Sequence, residues 1–273
     1  MSSGAVSMTI QRVERGAARA AEDVLAVEEP LEISIGGRNV SITMRTPGND
    51  EELAVGFLFS EGILRDRGQV SQVAITGDNQ VNVSLAGSAS LDLARLDRHF
   101  YTSSSCGVCG KTSIQSLETA GCPVIPRDRP LLDPAVVGRL PETLRQSQQV
   151  FARTGGLHGA ALFDPAGNLL DLREDVGRHN AVDKLIGARF LRGDLPLSDR
   201  ILLLSGRASF ELVQKAVMAG IGAIVAVGAP SSLAVELANQ FGITLIGFAR
   251  PERFNVYSGE FRLRVREAPP EKP

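Results

Sequence analysis

Apolar and polar residues alternate on both sides of Gly36-Gly37 in LEISIGGRNVSITMRT (residues 31–46), so this stretch predicts a β-hairpin. DEELAVGFLFSEGIL (50–64) predicts a short helix, with Asp50 placed to cap it and Leu53, Val55, Phe57 and Leu58 as its apolar face. VSQVAITG (70–77) and QVNVSLAG (80–87) alternate again around a Gly77-Asp78-Asn79 turn. Residues 29–101 therefore read as a small α+β domain, preceded by a loose leader over 1–28.

The period changes beyond Phe100. TSIQSLETAG (112–121) predicts a short helix, and DPAVVGRLPETLRQSQQVFARTG (133–155) one or two more, with Pro134 at a helix start and Gly155-Gly156 at the end. HGAALFD and LLDLRED flank Pro165-Ala166-Gly167-Asn168 as a second hairpin. Helices expected over 180–191, 209–219 and 231–241 then alternate with strands ILLLS, AIVAV and ITLIGF. That order predicts a largely parallel sheet with helices on both faces over 102–265. FNVYS and FRLRV are two further candidate strands, and 266–273 is a Pro-rich tail.

Composition narrows the functional classes. With 273 residues, 43% hydrophobic and 22% charged, the chain reads as an ordinary globular protein large enough for two domains. A formal charge of −2 predicts no general attraction to nucleic acid or to an anionic membrane. No apolar run approaches the roughly 20 residues needed to span a bilayer, and the N-terminal stretch lacks a signal-peptide core. Three cysteines are too few for a disulfide framework, so a reducing cytoplasm is expected, with thiols that are free or functional.

Two of those cysteines, Cys106 and Cys109, lie in SSSCGVCGKTS (103–113). A zinc site would need further ligands from Cys122, His99, His158 or His179, at a spacing that matches no familiar finger. A deaminase-type zinc site needs a His-x-Glu element that the chain lacks. A thioredoxin-like redox pair belongs at the end of a strand in a βαβ unit, whereas these cysteines follow the small domain. Two inert thiols fit poorly among Ser, Gly and Lys neighbours. A reactive thiolate also fits: Lys111 and the helix expected from Thr112 favour the anion, and Gly107 and Gly110 let the loop move.

Downstream, arginines recur where strands end. LLLSGRAS (202–209) puts Arg207 in a strand-to-helix turn whose free amides suit phosphate, though an ordinary capped turn reads the same. REDVGRHNAVDKLIG (173–187) gathers Arg173, Glu174, Asp175, Arg178, His179, Asn180, Asp183 and Lys184 around Gly177, and His158 opens a neighbouring strand. GFARPERFN (247–255) presents Arg250 and Arg253. Three such loops point to a large, polyanionic, ring-containing ligand. Neither common nucleotide-binding glycine loop is present.

SSSCGVCGK, TGGLHGAAL, REDVGRHNAVDKLIG, LSGRASFELVQKA and GFARPERFNVYS, in this order between about Leu31 and Val265, resemble the FdhD family of sulfur carriers needed for formate dehydrogenase activity. The resemblance implies a cytidine-deaminase-like α/β domain with a mixed sheet, lacking the deaminase zinc, beside a smaller N-terminal α+β domain, assembled as a homodimer. It also implies a sulfurtransferase that takes persulfide sulfur from a cysteine desulfurase on Cys106, with Cys109 the second loop cysteine. The sulfur would pass to the molybdenum of bis(molybdopterin guanine dinucleotide), bound at Phe248, Ala249, Arg250, Pro251, Glu252 and Arg253, with GDP as a mimic. Arg207 and Arg178 are added as phosphate candidates from their positions alone. A non-catalytic chaperone that only holds the cofactor is the rival reading.

Overall fold

The computed structural model describes residues 4–87 and 122–264. Cys106, Cys109 and the helix expected after them lie outside these residues.

Three sheets organise the described chain. The expected leader instead forms strands β1 (Ala5–Glu14) and β2 (Ala17–Ala26), an antiparallel ribbon of ten residue pairs turning at Arg15-Gly16, where both φ values are positive. Strands β3 (Glu29–Ile35), β4 (Arg38–Arg45), β5 (Val70–Gly77) and β6 (Gln80–Leu85) form a four-stranded sheet in the order β4-β3-β6-β5. Its inner face carries Leu31, Ile33, Val81 and Val83, all buried, as the alternation predicted.

Helix α1 (Asp50–Ser60) covers that face. Its N-cap is Asn49, not Asp50; the Asp50 carboxylate instead accepts two hydrogen bonds from Arg45. Leu53, Ala54, Val55, Gly56, Leu58 and Phe59 are buried almost all round the helix, because its other side packs on α4 (Arg178–Arg192). A Cβ built on Gly56 would lie 1.9 Å from the Asp183 carbonyl oxygen, and one on Gly187 would lie 1.9 Å from that of Glu52. Two glycines thus let the helix backbones touch, and one hydrophobic cluster runs through both expected domains. Gly187→Ala is expected to lower stability by about 3 kcal/mol or more, at or above the usual range for overpacking, because backbone must retreat. Urea denaturation measures it, and an unchanged midpoint would refute the close crossing.

The large sheet is mixed, in the order β12-β11-β10-β9-β7-β8. Strands β9 (Ile201–Leu204), β10 (Ala223–Ala226) and β11 (Thr244–Arg250) are parallel, while β7 (His158–Phe163), β8 (Leu169–Asp175) and β12 (Arg253–Ser258) run antiparallel to their neighbours. The sheet is therefore less parallel than the sequence order predicted, because tight reversals join β7 to β8 and β11 to β12. Helices α2 (Pro134–Ser147) and α3 (Gln149–Thr154) precede β7; α5 (Phe210–Met218) and α6 (Ser232–Gln240) follow β9 and β10. Asp133 caps α2 by accepting from the Ala135 amide, with Pro134 as the first helical residue.

The expected strand at 261–265 is a 3₁₀ turn over Glu260–Arg262 followed by a single bridge from Leu263 to Leu132. Arg262 explains the turn. Its side chain is wholly buried and donates to the carbonyls of Pro126, Arg129 and Gly242 and to the Thr244 hydroxyl, which a continuing strand would not allow. Burial, helped by nearby Arg127, pushes its pKa down to about 10.

Candidate functional site

Topology alone brings the arginine-bearing loops to one end of the large sheet. The parallel strands β9, β10 and β11 finish there, β7 and β12 begin there, and β8 finishes there. Arg178, Arg207, Arg250 and Arg253 consequently share a rim with His158 and Ser205. In open α/β sheets this is the end where ligands bind.

Backbone bonds hold the rim together beyond the strands. The Gly228 amide donates to the Gly206 carbonyl, Ala208 to Ala229, and Phe248 to Gly228. A Cβ on Gly228 would lie 3.0 Å from both the Arg207 nitrogen and the Gly206 oxygen, so glycine lets these two turns touch without either having to give way. The ring of His158 lies against Gly206. Phe248 adopts φ +53°, rare for an aromatic residue, and is 45% exposed. That conformation sits in a bulged stretch of the β11–β12 pairing between Gly247 and Arg250.

A pocket of about 660 Å³ opens on this rim. Arg250, Pro251, His158, Ser205 and Val227 form one side; Glu142, Arg145 and Gln148, from α2 and the residue after it, form the other. Nothing local marks Arg145 or Gln148, because they meet Arg250 and Pro251 only once α2 packs on the sheet. Of the expected ligand residues, Arg250 and Pro251 line the pocket. Phe248, Glu252, Arg253 and Arg207 are exposed, and Arg178 is half-buried, without lining it. Ala249 is a different matter: its side chain is fully buried in the core behind the sheet, so only its backbone faces a ligand.

Most of the polar cluster at 173–184 does not converge on this pocket. Arg173 binds Glu52 and Asp171. Glu174 accepts from the Val150 and Phe151 amides at the start of α3. Asp175 is fully buried, pairs with Lys184 at 2.7 Å, and accepts from Asn180 and the Thr46 and Gly177 amides. Lys184 also donates to the Thr46 carbonyl, so this group fastens the small sheet to the large one. Asp183 pairs with Lys215 through both oxygens at 2.8 Å and accepts from the Ser60 hydroxyl. These charges are structural. Arg178 and His179 are the members left facing the rim.

Both rim histidines are poor bases. Burial lowers the His158 pKa, the Arg178 guanidinium adds to this, and Asp175 opposes it. His179 falls to about 4 through burial, then Lys215 and Arg178, against the opposing pull of Glu211. Its Nε2 lies 3.3 Å from the Ser209 hydroxyl. Neutral imidazoles keep the rim's positive charge on its arginines. Because the folded pKa is depressed, the folded state binds fewer protons and loses stability as pH falls from about 6.5 toward 4. His179→Gln is expected to flatten that loss. Urea midpoints at pH 7.5 and 5 test it, and parallel acid shifts in both proteins would contradict it.

Among the described residues no three His, Cys, Asp or Glu side chains group as a metal site, and Cys106, Cys109 and His99 lie outside them. No described helix is long and apolar enough to cross a membrane.

Fold and site together define a mixed α/β protein whose large sheet ends in an arginine-bearing, glycine-packed rim. Comparison with known proteins places it more closely. Residues 26–264 match the model of the FdhD/NarQ family, and the chain belongs to that family. It is 50% identical over 267 residues to the sulfur carrier protein FdhD of Streptomyces avermitilis, covering 94% of this chain and 95% of the relative. The FdhD protein of Mycobacterium tuberculosis is 49% identical over 258 residues, covering 88% of this chain and 92% of its own. A crystal structure of a formate dehydrogenase accessory protein from Desulfotalea psychrophila superposes with a TM-score of 0.77 at 25% identity, over 95% of this chain and 99% of that one.

Proposed function

We propose that this protein is a sulfurtransferase of formate dehydrogenase maturation, carrying sulfur from a cysteine desulfurase to the molybdenum of bis(molybdopterin guanine dinucleotide). The observation that carries the reading is half-identity over nearly the whole chain to proteins named as sulfur carriers. The arginine rim supports the choice of ligand.

In the first step the Cys106 thiolate attacks the outer sulfur of the desulfurase persulfide. A new S–S bond forms on Cys106, the old one breaks, and the desulfurase cysteine leaves as a thiolate. In delivery the Cys106 S–S bond breaks, Cys106 leaves as a thiolate, and the outer sulfur passes at the sulfane level to the bound molybdenum cofactor, which is the substrate and supplies the two electrons that leave that sulfur as sulfide. Cys109, three residues on, is the second loop cysteine.

The ligand side rests on the chain's own residues. Arg145 and Arg250 both line a pocket of about 660 Å³, suited to one nucleotide half of the cofactor, since pockets for molecules of that size run about 300–1,000 Å³. Guanidinium groups match phosphate oxygens in pairs. Arg207 and Arg253 extend the charge along the rim for the second half. Association as a homodimer and residence in the cytoplasm complete the proposal.

Mass spectrometry after incubation with a desulfurase and cysteine tests it. The Cys106 peptide should gain one sulfur atom, and GDP should raise the thermal midpoint. A Cys106 peptide of unchanged mass would refute the sulfur carrier, whereas a midpoint indifferent to millimolar GDP would refute the nucleotide pocket.

A further inference from the structure

Gln148 joins α2 to α3, and its backbone serves both helices. Its amide donates to the Leu144 carbonyl, and its carbonyl accepts from the Ala152 amide. The side chain makes no capping bond at the start of α3. It lies instead against β7, where a Cβ built on Gly159 would stand 2.8 Å from Nε2 and 2.9 Å from Cδ. Ser205 engages both backbone groups of Gly159, accepting from its amide through Oγ at 2.9 Å and donating to its carbonyl at 3.0 Å. Gln148 Nε2 finds no acceptor among the described residues, although the residue is only 4% exposed. Native proteins rarely leave a buried donor unpaired, and each such group calls for an explanation.

The pocket it lines is graded from inside to outside. Leu144, Leu157 and Gln148 are its buried lining, whereas Arg145 and Arg250 are exposed at its mouth. Arg250 donates through Nη1 to the Val227 and Ala249 carbonyls, which holds its guanidinium in place. An apolar inner end behind a cationic mouth admits a nucleotide base first and keeps the phosphates outward. The base then reaches Gln148 and Ser205. The Ser205 oxygen already accepts from Gly159, so its hydroxyl hydrogen is left to donate. The inner end therefore offers two donors that flank one residue of β7.

We propose that Gln148, acting with Ser205, is the specificity-determining residue of this pocket and selects a 6-oxo purine over adenine. The inference rests on the nucleotide reading of the pocket and says how the base is told apart. Guanine presents O6 and N7 as neighbouring acceptors, which two donors can satisfy together. Adenine keeps N7 but carries an amine at position 6, so a donor would meet a donor. Rejection is strong where the unpaired group is buried, as Gln148 is. Gly159 is part of the arrangement, because any side chain there would push the carboxamide aside.

Calorimetric titration of the full chain with GDP, IDP and ADP tests it. GDP and IDP share O6 and N7, and each should bind wild type about tenfold tighter than ADP, or more. Gln148→Leu keeps the apolar body and removes the donor, so GDP should fall to about the affinity of ADP. Gln148→Glu sets acceptors against O6 and should weaken GDP at least as much while sparing ADP. A merely structural role would lower GDP and ADP together and leave their ratio unmoved in both variants, which would overturn the assignment to Gln148 alone. Wild type that binds ADP as tightly as GDP would overturn it without any variant. Wild type that binds none of the three would overturn the nucleotide pocket itself.

Discussion

Cells whose only copy of the protein carries Cys106→Ala are expected to lose formate dehydrogenase activity by orders of magnitude, to the level of cells without the protein. A carrier that forms a covalent intermediate has no substitute route when its sulfur atom is gone, so the effect exceeds that of any positioning residue. Cys122 does not compensate. Cys122 is half-buried with Sγ 3.5 Å from the Met218 Sδ, and burial raises its pKa, which keeps it a thiol rather than a nucleophilic thiolate. Cys122→Ala should therefore leave sulfur uptake intact. The variants separate a sulfur carrier from a chaperone that only holds the cofactor. Full enzyme activity with Cys106→Ala, alongside no sulfur uptake, would leave holding as the function.

The second large effect is on stability. Lys215→Met is expected to cost about 3–5 kcal/mol, because it leaves the Asp183 carboxylate buried without its cation. Burial alone would lower the Lys215 pKa, but Asp183 and Glu61 outweigh it and hold the ammonium charged. Single domains are stable by only about 5–15 kcal/mol, so the variant should stand near the threshold of folding. Pairing it with Asp183→Leu should recover most of the loss, since a buried ion pair is worth little more than the apolar pair that replaces it. Urea denaturation of both variants gives the comparison. A double variant as unstable as the single one would show that the cost lies in lost packing around α1, α4 and α5.

Ser60, Asp183 and Lys215 also show what was hidden along the chain. Ser60 and Asp183 are 123 residues apart, and Glu52 and Arg173 are 121 apart. Nothing local in REDVGRHNAVDKLIG says that Asp175, Asp183 and Lys184 turn inward to Thr46 and Lys215 while Arg178 turns toward the rim. Charged residues near a strand end read alike until their partners arrive. The pocket's second wall was hidden for the same reason, since Arg145 and Gln148 approach Arg250 only after α2 packs on the sheet.

The ribbon is hidden in the sequence for a different reason. GAVSMTIQRVERGAARAAEDVLAVEEP has alternation in its first half, but its second half is alanine-rich with adjacent acids, a poor strand by propensity. Its turn, with Arg15 and Gly16 both at positive φ, supplies the pairing that composition did not.

By itself the sequence determined the two periodicities, and with them the four small-sheet strands, the β7–β8 hairpin and the alternation of helices with β9, β10 and β11. It also determined that arginines stand where strands end. Those are local properties, written in side-chain spacing and turn residues. The tertiary structure decided that the strand ends meet on one rim, that the two expected domains share one core, and which charges are structural. The rim needs contacts between residues tens of positions apart, and the shared core and its charges need contacts more than a hundred positions apart. Two glycines, Gly56 and Gly187, set the closest of them, because only residues without a Cβ let those helix backbones touch.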